Sequence, residues 1–166
     1  MDYINIYFCP KTNKNIMRAI ERDEIQDVIE SVNKVMEKQL SPAFYEIVDR
    51  GVPHQPEKLL DNKMGVCIFV YQKTILMIGK TGPNSSPRFV YQHYNPSSAN
   101  STLAGLILKD DEMKLLGLTS NNIGEWIKNN CQRIDIIIDV NVGITTLQSI
   151  KLALHQQFEP KYGRLK

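Results

Sequence analysis

The chain has 166 residues, of which 42% are hydrophobic and 23% are charged, values that are ordinary for a folded globular protein. This length and composition predict one domain, or one domain with an extension, and exclude collagen-like and low-complexity chains. The formal net charge of +2 excludes a strongly basic or strongly acidic chain.

The first part of the chain predicts a strand followed by one long helix. Residues 3–8 (YINIYF) are rich in β-branched and aromatic side chains, which favour a strand. Between residues 15 and 39, apolar side chains recur at helical spacing, with charged side chains on the opposite side. Pro42 ends this pattern because the residue before a proline is disfavoured in helical geometry.

A segment rich in glycine and proline divides the chain. Residues 49–63 contain one glycine and two prolines, which is typical of a linker or irregular connection. We therefore predict a strand-helix extension over residues 1–60 and a main domain over residues 61–166. The first part carries 8 basic and 10 acidic residues and the second carries 12 and 8, so the charge changes from −2 to +4. This mild positive excess permits a polyanionic partner for the main domain.

The main domain begins with a predicted hairpin. Residues 65–71 and 74–79 are apolar runs separated by two residues, which is hairpin spacing. A short helix follows, with Ser86 as its cap and Pro87 as its first residue.

The remaining pattern predicts two helices, a strand and a last helix. Ser98 or Ser101 is expected to cap the next helix, and residues 121–130 form the one after it. Residues 133–140 indicate a strand, because Ile134, Ile136, Ile138 and Val140 alternate with Asp135, Ile137 and Asp139. Residues 144–158 form the last helix. The resulting order, β-β-α-α-α-β-α, predicts an α+β domain with a small antiparallel sheet flanked by helices.

Cysteine usage and hydropathy indicate the compartment. Three cysteines without a C-x-x-C pair argue against a disulfide framework or a structural zinc site. The sequence has no apolar run of membrane-spanning length and no signal-peptide pattern at its start. We therefore expect a soluble, cytoplasmic protein with no membrane partner.

The segment MIGKTGPNSSPRF raises the possibility of a phosphate-binding loop. Gly79, Lys80 and Thr81 match the end of that motif, but its first glycine would fall at Thr74, inside a predicted strand. A helix would also have to start at the lysine, and Pro83 prevents this. The motif is therefore not a phosphate-binding loop.

The same segment instead resembles the GIY-YIG nuclease superfamily. The triplets GVC (65–67) and MIG (77–79) stand at the two signature positions, with Arg88 following on a helix. The segment QQFEPKYG (156–163) resembles the closing segment of that family. The stretch IGKTGPNSSPRF…QHYNPSSANSTLA is similar to one bacterial branch, and the resemblance covers about residues 64–163.

This resemblance implies a phosphodiesterase that uses a single metal ion. In the family, tyrosines of the triplets help to activate water, an arginine neutralises the phosphate, and a glutamate on the last helix binds the cation. A hard ion such as Mg²⁺ prefers oxygen ligands, and an arginine fork suits the charge of a phosphate.

Three residues match the phosphate-binding part of the pattern. Arg88 stands at the position of the family arginine, and Lys80, just beyond the second strand, is placed for a phosphate contact. His93 is a candidate proton shuttle or phosphate ligand. Tyr91 and Tyr94 flank it, either as part of the site or as packing residues.

The catalytic part of the pattern is missing. Cys67 and Met77 occupy the degenerate tyrosine positions of the two triplets, and Lys151 stands where the family has its metal-binding glutamate. Residues 140–158 contain no aspartate or glutamate, so the last helix offers no carboxylate in any register. Lys151 lies at the margin of the apolar stripe, where it could bind a phosphate or pair with an aspartate of the preceding strand.

These observations lead to a first hypothesis, which we prefer. The protein is a degenerate nuclease that binds nucleic acid, with DNA as the first candidate, through Lys80, Arg88 and Lys151. Its Mg²⁺-dependent endonuclease activity is expected to be lost or strongly reduced, and no cofactor is expected.

Two alternatives stay open. The protein could be an active DNA endonuclease with a rearranged site, in which Asp135 or Asp139 binds Mg²⁺ and His93 acts as base. It could also be an interaction module that binds a protein partner, or a second copy of itself, through the N-terminal helix.

Overall fold

The computed structural model describes residues 20–36, 41–99 and 101–163. The predicted strand over residues 3–8 lies outside them, as do both ends of the helix predicted over residues 15–39. The strands are β1 (Tyr45–Asp49), β2 (Lys63–Tyr71), β3 (Thr74–Thr81) and β4 (Gln132–Asp139), and the helices are α1 (Arg22–Val35), α2 (Ser86–Tyr91), α3 (Leu103–Lys109), α4 (Asp111–Lys114), α5 (Ile123–Asn130) and α6 (Ile144–Phe158).

The four strands form one antiparallel sheet in the order β1-β4-β2-β3. Helices pack on both of its faces, so the predicted α+β architecture is confirmed. The sequence pattern does not predict β1, an edge strand whose Ile47 pairs with Ile136 of β4. The segment assigned to the extension, residues 1–60, therefore contributes a strand to the sheet of the main domain.

The sheet separates two apolar cores. On one face, which we call the α6 face, Val66, Ile68 and Ile136 pack with residues of α1 and α6. On the other, which we call the α2 face, Cys67 and Phe69 pack with residues of α2, α3 and α5. Because both faces are covered, β2 is buried over its seven central residues and reads as a continuous apolar run.

Helix α1 covers part of the α6 face. Its buried stripe consists of Ile25, Ile29 and Val32, and the helix contacts α6. The apolar spacing of this helix is therefore used for packing on its own chain. None of the helices within the described residues is both long enough and apolar enough to cross a membrane.

Strand β3 is the other edge of the sheet, and later parts of the chain cover it. His155 Nε2, from α6, hydrogen-bonds to the carbonyl oxygen of Ile78 at 3.0 Å. The backbone amides of Lys161 and Tyr162 donate to two further β3 carbonyls, each at 2.8 Å. These contacts satisfy groups that would otherwise be open to another strand.

Two helix caps differ from the prediction. Helix α2 begins after Ser85 rather than Ser86. Helix α3 is capped by Thr102, whose hydroxyl accepts from a backbone amide of the first turn at 3.1 Å, instead of by Ser98 or Ser101. The hydroxyl of Ser98 donates to backbone carbonyls of the preceding loop, so it serves that loop and not the helix.

Candidate nucleic-acid interface

A buried guanidinium lies at the centre of the α2 face. The side chain of Arg133 is fully buried, and its Nε donates to Asp135 at 2.7 Å. Its Nη1 donates to the hydroxyl of Tyr94 at 2.8 Å and its Nη2 to the carbonyl oxygen of Phe89 at 3.1 Å. The guanidinium also lies 4.5 Å from the centroid of the Phe89 ring. A buried charge is tolerated only with such partners, so this arginine ties β4 to the helical layer.

Asp135 connects this arginine to a second one. Its other carboxylate oxygen accepts from Nε of Arg50 at 2.9 Å, and Arg50 also pairs with the exposed Glu57 at 2.7 Å. Both oxygens of Asp135 are thus engaged by arginines. The buried carboxylate is fixed in place and compensated from two sides.

The hydroxyl of Tyr94 links the guanidinium to a histidine. Nδ1 of His54 lies 2.7 Å from the carbonyl oxygen of Cys131, and its Nε2 lies 2.8 Å from the hydroxyl of Tyr94. A carbonyl only accepts, so Nδ1 carries the proton and Nε2 accepts from Tyr94. Burial lowers the pKa of His54, which agrees with a neutral ring in this position.

Cys67 and Met77, where the predicted resemblance would place tyrosines, are packing residues. Cys67 is buried on the α2 face opposite Gly79, and Met77 is buried opposite Phe69. Burial raises the pKa of the Cys67 thiol to about 11, so the thiol is protonated near neutral pH. Neither side chain offers a base in this state.

His93 lies against the glycine of the second triplet. A Cβ added to Gly79 would stand 2.6 Å from Nε2 of His93, so only glycine leaves room for the ring. The imidazole is buried, and its Nδ1 has no hydrogen-bond partner among the described residues. Burial, and then the charges of Arg133 and Arg88, lower the pKa of His93 to about 4. The ring is therefore neutral near pH 7.

Arg88 is exposed on α2 beside an open groove. Within the described chain its guanidinium makes no ion pair and no hydrogen bond. The groove has a volume of about 530 Å³, and Tyr91 and Gln92 line it together with Arg88. This arginine is available to an anionic ligand.

Lys80 and Lys151 both belong to the α6 face and lie close enough for their charges to interact. Lys80 pairs in register with Val66, whose side chain belongs to that face, and Lys151 lies on α6. Burial, and then the charge of Lys80, lower the pKa of Lys151. Both lysines are half-buried, and neither forms an ion pair with any residue that the structure describes.

The sheet thus divides the predicted site residues into two groups. Cys67, Met77 and His93 belong to the α2 face, whereas Lys80 and Lys151 belong to the α6 face.

The aspartates of β4 have partners other than Lys151. Asp135 is held by Arg133 and Arg50, and Asp139 pairs with Lys63 at 3.3 Å. Over residues 20–36, 41–99 and 101–163, no group of three His, Cys, Asp or Glu side chains is arranged to hold a metal ion.

Sequence reasoning did not identify the arginine network. Arg133 and Asp135 stand two residues apart on a strand, so they share a face, and this opposite-charge spacing was the available signal. Nothing local indicates that Tyr94 and His54 complete the network, because His54 is reached through a loop 40 residues before Tyr94.

Comparisons with known proteins returned no match. No family model, no curated protein and no solved structure is similar to this chain at a significant level. The resemblance to GIY-YIG nucleases therefore stays a prediction based on the motifs.

Proposed function

We propose that this protein binds the phosphates of nucleic acid, with DNA as the first candidate, on a GIY-YIG-like scaffold that no longer cleaves efficiently. The observation that carries the proposal is that two half-buried lysines, Lys80 and Lys151, share the α6 face, interact through their charges and have no acidic partner in the described chain. Two neighbouring cations destabilise each other, and a phosphate bound between them relieves that repulsion. Arg88, on α2, forms no ion pair with the residues that the structure describes and supplies a further cation.

Loss of cleavage follows from the chemistry of the signature positions. The thiol of Cys67 is buried and protonated, and Met77 has no proton to exchange. Lys151 replaces the expected carboxylate with a positive charge, which repels Mg²⁺. Water activation and metal binding are therefore both absent from the family positions.

The binding test uses fluorescence anisotropy with a labelled duplex over a series of salt concentrations. Each lost phosphate contact should reduce the salt slope of the affinity by about 0.9. We expect Lys80→Ala and Lys151→Ala to show this reduction, whereas Lys58→Ala, which removes an exposed lysine elsewhere, should not. Equal slopes for all variants, or no binding by the wild type at low salt, would reject the proposal.

The cleavage test uses supercoiled plasmid with Mg²⁺ or Mn²⁺. The wild-type protein should not nick the plasmid, and nicking restored by Lys151→Glu would locate the missing carboxylate. Nicking by the wild type that is lost in Arg88→Ala would contradict the degenerate site and support the rearranged-site alternative.

A further inference from the structure

The groove beside Arg88 has the residues of a base-binding pocket. Arg88, Tyr91 and Gln92 stand at positions i, i+3 and i+4 of the same helical stretch, so their side chains emerge on one side. The groove is shallow and open to solvent, with a volume of about 530 Å³, so it would leave one face of a ligand exposed. Asn95 completes the wall on the side of the following loop.

Tyr91 presents an unused aromatic ring to this groove. Its side chain is 61% exposed, whereas Tyr94, one turn later, is 9% exposed and bonded within the arginine network. The side chain of Tyr91 forms no ring contact or hydrogen bond with any residue in the described ranges. An exposed ring next to a cation is the arrangement on which nucleobases stack.

Gln92 contributes an unsatisfied acceptor. Its side-chain Oε1 is buried and has no hydrogen-bond partner in the described part of the chain. The backbone of the same residue is held in place, because Ser98 donates to its carbonyl oxygen at 2.9 Å. A buried amide oxygen without a donor is costly, so rotation of the Gln92 side chain that brings Oε1 to the surface of the groove and pairs it with an N–H group of a ligand would be favoured.

We propose that this groove binds one unpaired nucleobase that carries an exocyclic amino group. Tyr91 stacks on the base, Oε1 of Gln92 accepts from its amino group, and Arg88 contacts the adjoining phosphate. This inference rests on the proposed function and makes it specific, because a base is free to enter the groove only from a single strand or an opened duplex.

The experiment compares two chains with the same number of phosphates, about 12, which is within the span of one single-strand site. One is oligo-deoxycytidine and the other is an abasic phosphodiester chain of equal length. At one salt concentration the wild type should bind the cytidine chain roughly 5- to 150-fold more tightly, the range expected for stacking. Tyr91→Ala should abolish this ratio and Tyr91→Phe should retain it.

A second comparison tests the amide. Oligo-deoxycytidine and oligo-thymidine present rings of similar size, but only cytosine carries an amino group. The wild type should prefer cytidine by about 2- to 12-fold, as expected for one hydrogen bond, and Gln92→Leu should remove that preference. Equal binding of cytidine and thymidine by the wild type would overturn the assigned role of Gln92.

The outcomes separate this inference from the proposed function. Equal affinity for the abasic and cytidine chains overturns the base pocket and leaves phosphate binding standing. Failure of both chains to bind would contradict the proposed function. The groove would then be tested by itself, by titrating the protein with cytidine monophosphate and following the amide chemical shifts. Shifts at Tyr91 and Gln92 would support the pocket, and their absence at millimolar nucleotide would overturn it.

Discussion

Nη2 of Arg133 donates to the carbonyl oxygen of Phe89 at 3.1 Å, so an arginine buried on the sheet holds the helix that carries Arg88. The position of the exposed arginine thus depends on a buried one. The same guanidinium also donates to Asp135 and Tyr94. A single side chain therefore connects β4 both to α2 and to the segment that carries Tyr94.

Removal of this guanidinium should destabilise the protein strongly. Arg133→Leu leaves the buried Asp135 with Arg50 as its remaining charged partner, and we expect a loss of about 3 kcal/mol in the free energy of unfolding. Urea denaturation followed by circular dichroism gives the value. Lys114→Ala removes an exposed pair with Asp111 and should cost less than about 1 kcal/mol. Similar losses in the free energy of unfolding for both variants would show that the buried network stabilises the protein no more than an exposed ion pair does.

A side chain at position 79 should destabilise the protein. A Cβ at this position would lie 2.6 Å from Nε2 of His93 and 3.0 Å from Sγ of Cys67, so Gly79→Ala should cost about 1–3 kcal/mol of stability. The nearest atom to a Cβ at Gly82 is Cδ1 of Ile144 at 3.6 Å, an ordinary contact, and Gly82→Ala should change stability by less than about 0.5 kcal/mol. Because the clash lies mainly with the imidazole, the double variant Gly79→Ala/His93→Ala should lose less than the sum of its single losses.

The buried imidazole of His93 should make stability depend on pH. Its pKa is lowered to about 4, mainly by burial, whereas an unfolded histidine titrates near about 6.5. The unfolded chain therefore binds a proton that the folded chain excludes, and the contribution is present above about pH 6.5 and lost as the pH falls toward 4. Relative to His93→Gln, the wild type should lose about 3 kcal/mol between pH 7 and pH 4. Parallel pH profiles of the two proteins in urea denaturation would contradict this prediction.

The sequence revealed those elements whose signal is local. Helix α6 begins and ends at the predicted residues, and alternating isoleucines identify β4 to within one residue at each end. The two-residue spacing also predicted the hairpin, in which Gln72 and Lys73 adopt φ of 47° and 67°, as a primed turn requires. Such patterns reflect backbone geometry over a few residues.

The elements and contacts that were missed depend on distant partners. Strand β1 is five residues long and gains its ladder from β4, more than 80 positions later. The division of Lys80 and Met77 between opposite faces follows from strand register, which a list of motif residues does not contain. The different roles of Tyr91 and Tyr94 likewise become visible only when the buried guanidinium is placed.

Lys151 offers a prediction in which stability and binding change in opposite directions. Burial and the charge of Lys80 both disfavour its ammonium in the folded chain, so Lys151→Met should raise the free energy of unfolding, by about 0.5–1 kcal/mol. The same change removes a phosphate contact and should reduce the salt slope of DNA binding by about 0.9. Lys109→Met, an exposed lysine on α3, should alter stability by less than about 0.5 kcal/mol and leave the slope unchanged.

The two measurements together distinguish a binding lysine from a packing one. A lysine that stabilises the fold through its methylene chain would lose stability on replacement and leave DNA affinity intact. A residue kept for ligand binding has the opposite signature, because the free protein bears a repulsion that the ligand removes. If Lys151→Met gains stability and loses DNA affinity, Lys151 belongs to the phosphate site. If the variant loses stability and keeps its DNA affinity, Lys151 is a packing residue and not part of that site.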